Sequence, residues 1–237
     1  MQFVQAQFSL KYEPLKLIRR YANELEDLLN NYYNPPQTIP IPDDFSPEAP
    51  RVIFYSKFGH SQISFSQIAV DFTVNFDNDF IHDFDKTKTY IEERIEIISK
   101  ILEKIGINNY YFCGISYNCQ INTGDLTPIE YMKKIIGKPL DGNIYDASQR
   151  SALLVENNYF VNQQIGTYKE FKSNSGIIPN LLDLKNCYIA SEGVALNLDV
   201  NNRYGYMYNG IILSTSEIKN TISKIFVLIK DYLNKWK

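Results

Sequence analysis

The chain has 237 residues, 44% of them hydrophobic and 22% charged, values that exclude a disordered or fibrous protein and leave room for a substantial core. Its net charge of −3, with both signs interspersed, argues against a phosphate-tracking surface and makes nucleic acid a less favoured partner than protein. No apolar run approaches the roughly 20 residues that cross a bilayer, and an alternating pattern rather than a signal peptide follows Met1, so a cytoplasmic location with no membrane contact is expected.

Residues 3–12 alternate, with Val4, Ala6, Phe8 and Leu10 on one face and Gln5, Gln7, Ser9 and Lys11 on the other, as in a half-buried antiparallel strand. Pro14 then opens a predicted helix whose stripe is Leu15, Ile18, Ala22, Leu25 and Leu29, ending near Asn30 and Asn31. Residues 32–50 hold six of the ten prolines and no apolar period, the pattern of an extended surface connection. Three antiparallel strands follow at 51–55, 62–66 and 68–76, the first two joined by a turn at Phe58, Gly59 and His60. A helix is predicted from about Thr89 to Ile105, with Thr89 and Glu92 as its capping box and Ile91, Ile95, Ile98, Leu102 and Ile105 as its stripe.

The order then restarts. A strand at 109–122 leads to a short helix with Thr127 as N-cap, Pro128 in its first turn, Glu130 as capping partner and Gly137 as stop. Strands are predicted at 152–155 and 159–171 around a tight turn at Asn157 and Asn158, and another at 187–200. The last helix starts at Ser214 with Glu217 and carries Ile218, Ile222, Ile225, Ile229 and Leu233. Residues 1–106 and 107–237 thus form two similar strand-helix-strands-helix halves, expected to make one continuous domain. The fold class is α+β: a largely antiparallel curved sheet with helices on one face. This element order resembles the saddle of the TATA-binding protein.

Chemistry-bearing residues are few. Asp77, Asp79, His82 and Asp83, with Asp85 beyond, form the densest polar cluster; carboxylates with an imidazole can hold a divalent metal, which would suit a metal-dependent hydrolase or nuclease. The competing explanation is that acidic residues complement the positive N-terminal end of the following helix. Ser116 and Ser191 lack a nucleophile-elbow context, and neither a dinucleotide-binding nor a Walker-type glycine motif occurs, so no cofactor is implied. Cys113, Cys119 and Cys187 are odd in number and lack paired spacing; they read as buried small hydrophobes. Tyr110, Tyr111, Phe112 and Tyr117 form one aromatic cluster, and Tyr204, Tyr206 and Tyr208 another. The second trio reads as one face of a glycine-containing strand, and its members are the candidate interface residues.

The segment APRVIFYSKFGHSQISFSQIAVDF, then a long helix, then GISYNCQIN, then VALNLDVNN ahead of a final amphipathic helix, together resemble a sporadically distributed family of uncharacterised prokaryotic proteins of similar length. The resemblance covers nearly the whole chain. It implies no established activity, and its patchy occurrence implies accessory genes such as those of defence or toxin–antitoxin systems. The expected function is therefore non-catalytic binding of a macromolecule, either another protein or further copies of the chain.

Overall fold

In the computed structural model, residues 1–137, 142–173 and 187–236 are described. The first strand, β1 (Gln2–Tyr12), buries Phe3, Ala6, Phe8, Leu10 and Tyr12. Val4, expected on that apolar face, is 41% exposed instead. A bulge between Phe3 and Gln5 reverses the alternation there, because Phe3 is claimed by the rings of Phe84 and Tyr117 at 5.8 and 5.9 Å.

The first helix is shorter than its apolar stripe predicts. A 3-10 turn at Ile18–Tyr21 precedes α1 (Ala22–Leu29). The residues ahead of the turn are tied to another part of the chain, since the Leu15 amide donates to the Gln67 carbonyl and the Gln67 side chain donates to the Lys16 carbonyl. Those bonds compete with the first helical turn.

The proline-rich connection contains a short strand, β2 (Gln37–Thr38), and is held from beneath by arginines. Arg51 is fully buried and its guanidinium donates to the carbonyls of Ala49, Pro42, Phe45 and Ser46 at 2.8–3.3 Å. Arg19 reaches the same connection through Asp43, at 2.6 Å, and the carbonyls of Ile39 and Ile41. A buried cation is tolerated here because backbone dipoles replace its hydration.

Strands β3 (Val52–Tyr55), β4 (Ser61–Phe65) and β5 (Ala69–Asn75) form the expected antiparallel meander. Helix α2 (Phe84–Lys104) begins five residues before the predicted capping box. Its cap is Asp83, whose carboxylate accepts the Lys86 amide at 3.0 Å, while the Thr89 hydroxyl donates back to the Asp85 carbonyl within the helix. Phe84 extends the apolar stripe toward Phe3 and Tyr117, so burial favours the earlier start.

The second half holds β6 (Tyr110–Ile121), α3 (Pro128–Ile136), β7 (Ser148–Val155), β8 (Tyr159–Ser173), β9 (Cys187–Asn201), α4 (Arg203–Asn209) and α5 (Thr215–Asn234). Both predicted capping boxes form, Thr127 with Glu130 and Ser214 with Glu217, and α3 stops at the left-handed Gly137. The β7–β8 turn is displaced by one residue: Glu156 and Asn157, not Asn158, take positive φ.

Among the described residues, nine strands join one open antiparallel sheet in the order β2-β3-β4-β5-β1-β6-β9-β8-β7. That order is symmetric about the central β1–β6 pair, with β5, β4 and β3 matched by β9, β8 and β7, as a restarted element order requires. Helix α2 packs on β1, α5 packs on β6 and β9, and the two helices touch, so both lie on one face. Ile91, Ile98, Ile225 and Ile229 are buried beneath them, each contributing roughly 1.5–3 kcal/mol. The helices are also linked by Lys230 on Asp85 at 2.9 Å, and α2 is tied to β6 by the Thr87 and Tyr117 hydroxyls, 3.2 Å apart. Cys113 and Cys119 are buried and free, as expected, whereas Cys187 is half-buried at the start of β9. Burial pushes the Cys113 thiol up, and that of Cys119 up to about 12, so neither supplies a thiolate nucleophile at neutral pH. Among the described residues no helix is long and apolar enough to cross a membrane.

Candidate functional site

With the helices on one face, strand alternation delivers the polar residues of β5, β1, β6, β9 and β8 to the other. Across its centre the amides form a ladder. Asn197 donates to Asn118 at 2.6 Å, Asn118 to Gln5 at 3.0 Å and Gln5 to Asn75 at 2.8 Å, one residue from each of four adjacent strands. Every amide in the chain has a second N–H and further acceptor capacity beyond the ladder. Next to it, Asp199 accepts from both Asn162 and Asn201 at 2.8 Å.

Beside the ladder lies a shallow groove of about 250 Å³ lined by Lys11, Asp71, Ser116, Asp199, Asn201 and Arg203, among others. Two cations face two carboxylates, so the groove has no net positive strip to follow a phosphate backbone. Its floor depends on Gly114, because a Cβ there would stand 2.7 Å from the Cβ of Asn201 on the adjoining strand.

Helix α4 closes one end of this face, and it carries the three tyrosines predicted to lie in a strand. The correction has a local cause. Asn202 leaves the β9 ladder and is buried; its side-chain oxygen accepts the Cys113 amide at 2.7 Å and its own amide donates to the Cys113 carbonyl at 3.1 Å. The chain turns there, with the Arg203 amide donating to the Asn201 side chain at 3.2 Å. Gly205 lets the helix approach the β7–β8 turn, since a Cβ would lie 1.9 Å from the Asn158 side-chain oxygen.

In a helix the three rings no longer share a face. Tyr204 and Tyr208, four residues apart, stack on each other at 4.6 Å, and Tyr204 meets Phe160 edge-on at 5.4 Å. Tyr206 points elsewhere, stacking on Tyr111 at 4.9 Å and lying 5.9 Å from Phe112. Arg203 covers the other side of the groove entrance, with its guanidinium 4.9 Å from the Phe112 ring. Tyr204 and Tyr206 are half-buried by these contacts and Tyr208 is 65% exposed. Beyond the helix, Ile211 and Ile212 extend the exposed apolar surface.

The predicted metal residues do not converge. Asp83 is spent as the α2 cap, Asp77 accepts the Asp79 amide at 3.3 Å and lies 3.7 Å from His60, and His82 is exposed. Among the described residues no three or more His, Cys, Asp or Glu side chains are grouped to hold a metal ion. The acidic run belongs to the helix approach, where two of its carboxylates accept backbone amides.

The amide ladder was missed by sequence reasoning, although its signal was present: Gln5, Asn75, Asn118 and Asn197 all occupy the polar phase of an alternating strand. What was lacking was the strand order that sets them side by side. No protein-family model matches the chain, and no curated protein aligns with it significantly.

Proposed function

We propose that the chain is a non-catalytic macromolecule-binding protein whose partner is another protein or a second copy, engaged through α4 and the adjoining open sheet face. The observation that carries this reading is the exposure of Met207, Tyr208 and Ile212, at 60, 65 and 53%, within six residues at the rim of that face. Apolar and aromatic side chains rimmed by polar groups are the composition of a protein interface. The outer strand β7 supports the same reading, since it contains no Lys or Pro, exposes Leu153 and Leu154, and has no strand paired to its outer edge among the described residues. A prokaryotic accessory setting of the defence or toxin–antitoxin kind, which the family resemblance implies, would use such a surface for subunit assembly.

Light scattering at micromolar concentration should give a mass above that of one 27.5 kDa chain, or cross-linking in the native host should join the α4 surface to a protein partner. The double substitution Met207→Ser with Ile212→Ser should abolish either result while leaving the melting temperature nearly unchanged, because exposed positions contribute little to stability. A monomer that forms no α4 cross-link would overturn the proposal.

A further inference from the structure

The first half of the molecule contains a cavity of about 310 Å³ between α2 and the ends of β3, β4 and β5, away from the groove and from α4. Its walls are aromatic: Tyr32, Phe58, Phe76, Phe80 and Tyr90. Most of these rings pack on one another, Phe76 with Phe80 at 6.1 Å and Phe80 with Tyr90 at 5.7 Å, so the walls are held in place without a ligand. Phe58 stands at the mouth, 79% exposed.

One cation is set into this apolar lining. Arg94 is 8% exposed, and its guanidinium carbon lies 4.1 Å from the Tyr32 ring centroid and 4.7 Å from that of Tyr90. Among the described residues no carboxylate pairs with it, and its Nε–H is buried without an acceptor. This differs from Arg51, the other buried arginine, which is surrounded by backbone carbonyls. The Tyr33 hydroxyl also engages this guanidinium through a hydrogen bond, and the Nε–H is the donor left for a further acceptor. Hydroxyls are gathered close by: Ser61 Oγ lies 3.2 Å from both the Tyr33 and the Tyr90 hydroxyl. At the mouth, His60 and Asp77 stand 3.7 Å apart; among the described residues they are the only other ionisable groups lining the cavity besides the tyrosines.

We propose that this cavity is a binding site for a small aromatic carboxylate, with the carboxylate on Arg94 and the ring against Phe76, Phe80 and Tyr90. A planar monoanion matches the site on three counts. Its charge suits a single guanidinium, whereas a phosphate dianion calls for more cationic groups than one; its ring suits aromatic walls; and the volume lies at the small end of ligand pockets. The site is independent of the protein-binding surface and stands whether or not that surface does.

The test is calorimetric titration of the full chain with benzoate, 4-hydroxybenzoate, neutral benzamide and inorganic phosphate, together with ¹⁵N spectra of the Arg94 Nε–H. Benzoate or its hydroxyl derivative should bind at least about tenfold more tightly than benzamide, the scale of one charge-assisted hydrogen bond, and should shift the Arg94 Nε resonance. Arg94→Gln should remove that preference. If this variant does not fold, Tyr90→Phe and the wild-type Nε shift carry the same comparison. Equal affinity for benzoate and benzamide, preference for phosphate, an unmoved Arg94 resonance, or no binding of either benzoate at millimolar concentration would each overturn the assignment.

Discussion

Replacing Gly114 by Ala separates the contribution of local propensity from that of strand packing, because the two predict opposite signs. Glycine within a strand ordinarily costs roughly 0.5–1 kcal/mol relative to alanine, so propensity alone predicts that Gly114→Ala stabilises the protein. Gly114 lies opposite Asn201 in the β6–β9 pairing, and an alanine methyl would come within 2.7 Å of the Asn201 Cβ, 3.4 Å of the Val200 carbonyl and 3.6 Å of the Asn201 Cα. The first of these is well inside contact distance for two carbons, and Asn201 cannot yield by rotating a side-chain terminus, since the clash is with its Cβ. The strands must separate locally. Overpacking of this kind costs about 1–3 kcal/mol, which exceeds the propensity gain. A chain of this size loses about 2–4 °C in melting temperature per kcal/mol, so the midpoints of the two ranges, about 2 less about 0.75 kcal/mol, give an expected fall of roughly 2.5–5 °C. Urea denaturation should show a lower midpoint at unchanged slope, and amide exchange should quicken first between β6 and β9. The displacement also reaches α4, because the Asn201 side chain accepts the Arg203 amide. A melting temperature equal to or above that of the wild type would refute the close-packing argument and the strand register behind it.

Arg51→Met should destabilise the protein by about 1.5–3 kcal/mol, since four backbone carbonyls lose a charged donor, and limited proteolysis should begin to cut between residues 40 and 50; resistance there would show that the connection does not depend on the guanidinium. Hydroxyl and backbone hydrogen bonds from Thr127 and Ser214 hold the Glu130 and Glu217 carboxyls below their usual range, so their contribution is present at neutral pH and is lost as pH falls through the depressed folded values. Thr127→Ala with Ser214→Ala should accordingly lower the melting temperature at pH 7 and flatten its decline on acidification, and identical pH profiles for the two proteins would refute this.

Features resting on a few neighbouring residues were legible in the chain. The capping boxes at Thr127 and Ser214, the stripes of α2 and α5, and the alternation of β5 and β6 are set by contacts within one or two turns or along one strand, and the α+β class follows from adding them. Three features were decided by tertiary structure. Val4 lost its place in the core to Phe3 because rings of β6 and α2 claimed the latter, the first helix lost its opening turn to Gln67, and Tyr204, Tyr206 and Tyr208 fell on a helix because Asn202 anchors to Cys113. In each case the deciding partner lies at least 50 residues away in the chain, beyond the reach of periodicity. The same holds for the candidate sites. Gln5, Asn75, Asn118 and Asn197 become a ladder only when β5, β1, β6 and β9 lie in that order, and Arg94 becomes a buried cation facing a cavity only when Tyr32 is brought against it. Local sequence determines which elements can form and which faces they offer; the pairing that minimises exposed apolar surface determines which distant side chains meet.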